Sequence, residues 1–346
     1  MEGKPDAQTS ASEENACKQC GSSLIERGYK FALCQRCRTA LAERPMPPWI
    51  KIVSAGIIII LGLALMRFPD SLTAGLNYEQ GAKAEKAKKY LTSLRHFKKT
   101  VELYPNSTPA LAKLFISYAV NQKMKEASNT FESIAGKKLS DKRLLQQAND
   151  MVKMLDSLYD YKKELLDIIK QKEKDAKNVT FSKLKSYVQK NPKDSLGFYH
   201  LGDACFDNEK YSEAKDNYVK ALALNPYLLV AHLGVASAYR QLGEIDKAIE
   251  EINKVFQYNA ESVDAYASLS RTELKRHQYK AALELAQKAC DLDNENLYAT
   301  ATLAIVYHYN AMTRERDQLI EKLKKANFQG LDKTLAIIDG RLKLYD

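Results

Sequence analysis

Residues 195–228 read SLGFYHLGDACFDNEKYSEAKDNYVKALALNPYL, and their spacing decides the fold. Leu201, Gly202, Ala214, Tyr218, Ala221 and Pro226 stand at positions 7, 8, 20, 24, 27 and 32 of a unit 34 residues long. Small residues at 8, 20 and 27 allow two paired helices to approach closely. Phe198, Leu201 and Tyr218, at 4, 7 and 24, fill the remaining gaps. Pro226 ends the second helix because it offers no backbone N–H and clashes with the preceding turn.

The frame recurs along the chain. From Leu229 it is matched by Tyr239 and Ala248, from Val263 by Tyr266, Leu269, Ala282 and Ala289, and from Leu297 by Leu303 and Tyr307. Upstream, Gly81, Phe97 and Pro105 fit a unit from about Ala74, and Leu114, Tyr118, Ala127 and Phe131 one from Thr108. This pattern resembles the tetratricopeptide repeat (TPR) over most of residues 74–330 and most clearly over 195–294. The resemblance implies an all-α solenoid of stacked helical hairpins: N-terminal repeats over 74–139, an irregular helical segment over 140–194, C-terminal repeats over 195–330, and a capping helix over 331–346. In the irregular segment Leu144, Ala148, Met151, Leu155 and Leu158 keep helical periodicity, and Asn191-Pro192 marks its stop.

In this family the first helices of the hairpins form a concave face that commonly holds peptides or partner helices. The corresponding positions here are Tyr199, Asp203, Phe206, Leu233, Ser237, Arg240, Asp264, Arg271, Lys275, Tyr298, Ile305 and His308. Their aromatic and cationic character suits a peptide with some acidic content. The Lys-and-Asn clamp that some members use for carboxy-terminal carboxylates is absent from this frame.

Composition agrees with a helical, globular chain. Of 346 residues, 45% are hydrophobic and 28% charged, with only 9 Pro and 14 Gly. That excludes wholesale disorder and disfavours an all-β sandwich. The net charge of +10 is spread over 53 basic and 43 acidic residues, which reads as a solvated helical surface rather than a nucleic-acid footprint.

Four of the six Cys form two pairs, Cys17-Lys-Gln-Cys20 and Cys34-Gln-Arg-Cys37. Two thiolates at i and i+3 on a tight turn face one ion, and a second such turn completes a tetrahedral sulfur site. The arrangement resembles a zinc ribbon over 17–38, with Leu24, Ile25, Tyr29, Phe31 and Leu33 as short strands and Arg27-Gly28 as the bend. A closed set of four Cys implies structural Zn2+. Two disulfides are the alternative reading, and a redox pair is weaker because no βαβ pattern surrounds either. Arg27, Lys30, Arg36 and Arg38 are the residues that would touch nucleic acid. Residues 1–16 read as a disordered tail and 39–48 as a Pro-containing linker.

Residues 49–66 read WIKIVSAGIIIILGLALM, with Lys51 the single charge. A run of this length approaches the hydrocarbon thickness of a bilayer, so residues 49–68 are expected to form one transmembrane helix, Trp49 and Phe68 sitting at the interfaces. A buried core helix is the alternative. Arg36, Arg38, Arg44 and Lys51 on the amino side of the segment place the amino terminus in the cytoplasm by the positive-inside rule. The repeats are then extracytoplasmic, most simply at a bacterial inner membrane.

No phosphate loop, HExxH, GxSxG or kinase-like set is present, and the five His are scattered through helices. The expected function is a non-enzymatic, membrane-anchored scaffold or adaptor for protein partners. The alternative is a regulator whose ribbon contacts nucleic acid or transcription machinery, with the repeats as its input domain.

Overall fold

The computed structural model describes residues 16–43, 47–171 and 177–343, and of residues 64–68 only the backbone. The expected tail therefore lies outside the described residues except for Ala16. The chain divides into two compact units, 1–69 and 70–346. The first holds the cysteine knuckles, α1 (Gln35–Ala42) and most of α2 (Pro48–Lys86). No strand occurs among the described residues, in contrast to the short strands expected for the ribbon. Backbone bonds from Lys18 to Ala32 and from Glu26 to Leu33 tie its loops instead.

The expected transmembrane helix over 49–68 is not supported by the described residues. Among the described residues no helix is long and apolar enough to cross a membrane. Ile57, Ile58, Ile59, Ile60, Leu61 and Leu63 on α2 are all exposed.

The second unit is built of helical hairpins. Its first hairpin pairs the end of α2 with α3 (Tyr90–Leu103), followed by α4 (Thr108–Val120) and α5 (Met124–Ile134). The irregular segment holds α6 (Lys142–Tyr159), α7 (Lys163–Gln171) and α8 (Lys177–Lys190). Regular pairs then follow: α9 (Ser195–Asp207) with α10 (Tyr211–Leu224), α11 (Leu229–Gln241) with α12 (Ile245–Tyr258), α13 (Val263–Lys275) with α14 (Tyr279–Leu292), and α15 (Leu297–Tyr309) with α16 (Thr313–Lys325). The last helix is α17 (Leu331–Ile338).

Two kinds of turn enforce the period. Inside each regular hairpin one residue adopts a left-handed conformation: Glu209, Gly243, His277 and Ala311, with φ between 57° and 80°. The next residue donates its N–H five residues back, as Lys210 to Cys205 and Gln278 to Glu273, which closes the first helix. Between hairpins, the side chains of Asn225, Asn259 and Asp293 accept the N–H two residues on, forming Asx turns. Both sets recur at intervals of 34.

The small positions of the repeat are sealed. Gly202, Ala236, Ser270 and Ala304 at position 8 are buried, as are Ala214, Ala248 and Ala282 at position 20. A Cβ on Gly202 or Gly234 would meet the Tyr218 ring at 2.7 Å, so two successive first helices close on one aromatic ring. The same device appears in the first hairpin, where a Cβ on Gly81 would meet Phe97 at 2.8 Å.

The array also folds back on itself. Thr92 of α3 donates its N–H and hydroxyl to the Glu261 carboxylate at 2.8 and 2.6 Å. Arg95 reaches the Leu292 carbonyl at 2.8 Å, and Lys123 pairs with Asp293 at 3.1 Å. Leu91 and Leu94 join Val263, Leu292 and Ala299 in one buried cluster. The first hairpin thus packs on the turns that precede α13 and α15.

Candidate binding groove and metal centre

The first helices of the regular hairpins line a cavity of about 400 Å³. α9 supplies Tyr199, Asp203 and Phe206, α11 supplies Leu233, Ser237 and Arg240, α13 supplies Asp264 and Arg271, and α15 supplies Tyr298. These residues recur on one helical face because their spacing within each 34-residue unit is the same. Lys275 and His308, expected in the groove, lie outside this lining, and Ile305 is fully buried among helices.

The far wall comes from an element that repeat spacing did not assign to the groove. Phe328, Lys333, Thr334 and Ile337, on or next to α17, line the same cavity. Ile337 packs in a cluster with Leu274, Leu303 and Val306. Lys333 crosses to α9, 3.6 Å from the Asp207 carboxylate and 5.0 Å from the Phe206 ring. The terminal helix therefore bridges the last repeat and the first regular one. No periodic signal announces this, since α17 belongs to no repeat.

Charges in the groove are mostly tied. The Tyr218 hydroxyl donates to Asp203 at 2.7 Å, and His200 Nδ1 lies 3.6 Å from the same carboxylate. The adjacent Asp203 charge and burial raise the Tyr199 phenol well above its ordinary value, so it stays a neutral donor. Asn296 donates to Asp264 at 3.0 Å, although burial still raises that carboxyl. The Arg271 Nε donates to Thr302 at 2.8 Å, and its guanidinium lies 4.5 Å from the centre of the Tyr298 ring. Arg240 is different: it is 3% exposed and meets only neutral oxygens.

In the other unit, Cys17, Cys20, Cys34 and Cys37 bring their sulfur atoms within 4.8 Å of one another. Cys20 and Cys34 sulfurs are 3.6 Å apart, against about 3.8 Å across an ideal tetrahedral zinc thiolate and about 2.05 Å in a disulfide. Gly21 follows the first pair with φ 75°, and its N–H closes on the Cys17 carbonyl at 2.8 Å. The second pair opens α1: Cys34 is its N-cap, and its sulfur accepts the Cys37 N–H at 3.4 Å. Hydrogen bonds to the Cys17 sulfur, the strongest from the Cys34 backbone, bring that thiol down to about 6. Cys37, which shares its proton with the sulfurs of Cys20 and Cys34, is pushed up to about 12. Four thiolates this close repel one another, and a dication resolves the conflict. The geometry fits a metal ion and is consistent with zinc.

Of the basic residues on the ribbon, Arg38 is engaged. It pairs with Glu26 at 2.7 Å, donates to the Phe31 carbonyl at 3.2 Å and stacks 3.6 Å from the Tyr29 ring centre. Cys205 is buried and Cys290 half-buried. Burial pushes both thiols up to about 11, as befits packing residues.

Repeated hairpins, sealed small positions and a groove of first helices define a helical repeat protein. Residues 183–271 match the tetratricopeptide repeat family model, and the repeat unit around them is built of helices. It is similar to Small glutamine-rich tetratricopeptide repeat-containing protein 2 of Mycosarcoma maydis, at 28% identity over 95 residues, covering 28% of this chain and 27% of that one. It is also similar to a TPR repeat-containing protein of Methanocaldococcus jannaschii, at 25% identity over 182 residues, covering 47% of this chain and 30% of that one. The chain thus spans less than a third of the length of these curated relatives. Among solved structures, YrrB, a TPR protein with an unusual peptide-binding site, aligns over 64% of this chain and 88% of its own at 16% identity, with a TM-score of 0.28.

Proposed function

We propose that this protein is a non-enzymatic scaffold or adaptor whose repeat groove binds a protein or peptide partner. The observation that carries this reading is the single cavity shared by four first helices, lined by Tyr199, Phe206, Leu233 and Tyr298. Aromatic and aliphatic contacts of this kind, spaced along a superhelix, suit a peptide better than a compact metabolite. TPR proteins as a class mediate protein–protein contacts, which supports the same reading. Zn2+ on the four cysteines holds the ribbon together as a structural module.

Membrane anchoring is a separable part of the proposal. It is supported by the sequence of residues 49–66 and by the exposure of Ile57–Leu61. With basic residues preceding that run, the ribbon lies in the cytoplasm and the repeats outside it, at a bacterial inner membrane. Extraction of membranes with alkaline carbonate tests this part: release of the full chain into the supernatant rejects anchoring. The nucleic-acid alternative is weakened by the engagement of Arg38 within the ribbon itself.

The groove is tested with a Phe206→Ala, Leu233→Ala double variant of the full chain. Partner recovery by affinity pull-down should fall at least tenfold while the helical circular dichroism is retained. Equal recovery rejects the groove as the binding surface.

A further inference from the structure

Arg240 is a buried cation without an acid. Its Nη1 lies 3.4 Å from the Ser268 carbonyl and the Thr272 hydroxyl, and its Nη2 is 3.1 Å from the Ser237 hydroxyl. Its Nε has no hydrogen-bond partner among the described residues, and neither has Nε2 of the adjacent Gln241. Both residues line the groove cavity. A desolvated guanidinium is costly unless a carboxylate or comparable anion meets it, and the buried Nε is left without the hydrogen bond such a group supplies.

The acids of the groove do not fill this role. Asp203 receives the Tyr218 hydroxyl, Asp264 the Asn296 amide, and Asp207 faces Lys333. Nor does the repeat require a cation at this place. Arg240 stands at position 12 of its unit, where the flanking units carry Phe206 and Leu274, the latter fully buried. An apolar side chain therefore satisfies the packing, and the charge answers to something beyond it.

We propose that the cavity floor at Arg240 and Gln241 is an anion subsite that takes the carboxylate of an Asp or Glu side chain from the bound peptide. The inference rests on the peptide-binding reading and adds the chemistry of the partner. The incoming carboxylate draws the unsatisfied Arg240 Nε and Gln241 amide toward the cavity they line and accepts from them, while apolar residues of the same peptide contact Phe206, Leu233 and Tyr298. α17 offers no such acid to Arg240 in the structure.

The test is selection of a displayed library of helical and extended peptides on the full chain in detergent micelles, beside an Arg240→Met variant. Wild type should enrich one fixed acidic position, and Arg240→Met should lose that preference. The selected peptide should weaken at least tenfold on changing its acid to the amide, with no further loss on the variant. Arg240→Met should also melt no lower than wild type, since replacing an unpaired buried charge by an apolar side chain of similar size is neutral or stabilising. Peptides enriched on apolar positions alone, or an acid preference that survives in Arg240→Met, overturn the inference and leave the groove reading intact. Loss of binding on amidating the peptide's carboxy terminus, but not on changing the internal acid, overturns the side-chain assignment. No enriched peptide at all overturns both. A marked fall in melting temperature for Arg240→Met assigns the residue to packing and overturns the inference.

Discussion

Gly202 lies so close to the Tyr218 ring that a Cβ there would be 2.7 Å from it. Gly202→Ala should therefore destabilise the repeat unit by about 1–3 kcal/mol through overpacking. Gly75, also helical, has open space around it, and its change to Ala should leave stability unchanged or raise it by up to about 1 kcal/mol. Urea unfolding of the two variants compares them directly. Equal midpoints would mean that Tyr218 gives way and that the small position is not set by contact.

Chelation should expose the ribbon. With Zn2+ bound, the four clustered cysteines resist alkylation, and Cys205 and Cys290 resist it because burial holds their thiols protonated at neutral pH. After treatment with a chelator, intact mass should show four fast alkylations and no more. A metal-to-protein ratio near zero in protein purified with added zinc, or fast labelling before chelation, contradicts the metal assignment.

The Glu251 carboxyl contributes stability that disappears in acid. Burial alone would raise it, but hydrogen bonds from His232 at 2.7 Å and Lys254 at 2.6 Å outweigh burial and hold it below its ordinary value. The unfolded chain then takes up the proton first as pH falls. The stabilisation is complete above the unfolded carboxyl value, about 4.3, and is lost as pH drops through the lower folded value. Glu251→Gln should flatten the dependence of melting temperature on pH below about 5. An unchanged acid slope would place the sensitivity elsewhere.

Asp194 caps α9, the first helix of the groove. Its carboxylate accepts the N–H groups of Leu196 and Gly197 at 3.0 and 3.1 Å and the Tyr187 hydroxyl at 2.5 Å. Asp194→Ala should cost about 1 kcal/mol for the cap and more for the stranded hydroxyl, whereas Asp194→Asn should recover most of the loss. Amide exchange at Leu196 and Gly197 reports the effect locally. Protection equal to wild type in the alanine variant would rule the cap out as a source of stability.

Much of the fold was legible because hairpin packing is local and periodic. Positions 8, 20 and 27 must be small for two helices to touch, so composition at those places exposes the frame. The turns were less visible. The left-handed site at position 15 is held by Glu209, Gly243, His277 and Ala311, and just one of the four is the glycine that would announce it. The Asx turns did leave a signal, Asn225, Asn259 and Asp293 at one spacing. The cysteine cluster was legible for a different reason: a tetrahedral site needs a fixed ligand spacing whatever fold surrounds it.

The sequence alone determined the helical repeat, the first-helix face of the groove and the four-sulfur cluster, since each depends on residues near one another in the chain or on a strict period. Tertiary structure decided what period cannot encode. It packed α3 onto the turns before α13 and α15, carried Lys333 of α17 across the groove to Asp207, and left Lys275 and His308 outside the cavity. It also left Arg240 buried without an acid. Such contacts join residues more than one repeat apart, and the curvature of the stacked hairpins, which sums small rotations over the whole array, sets which of them meet.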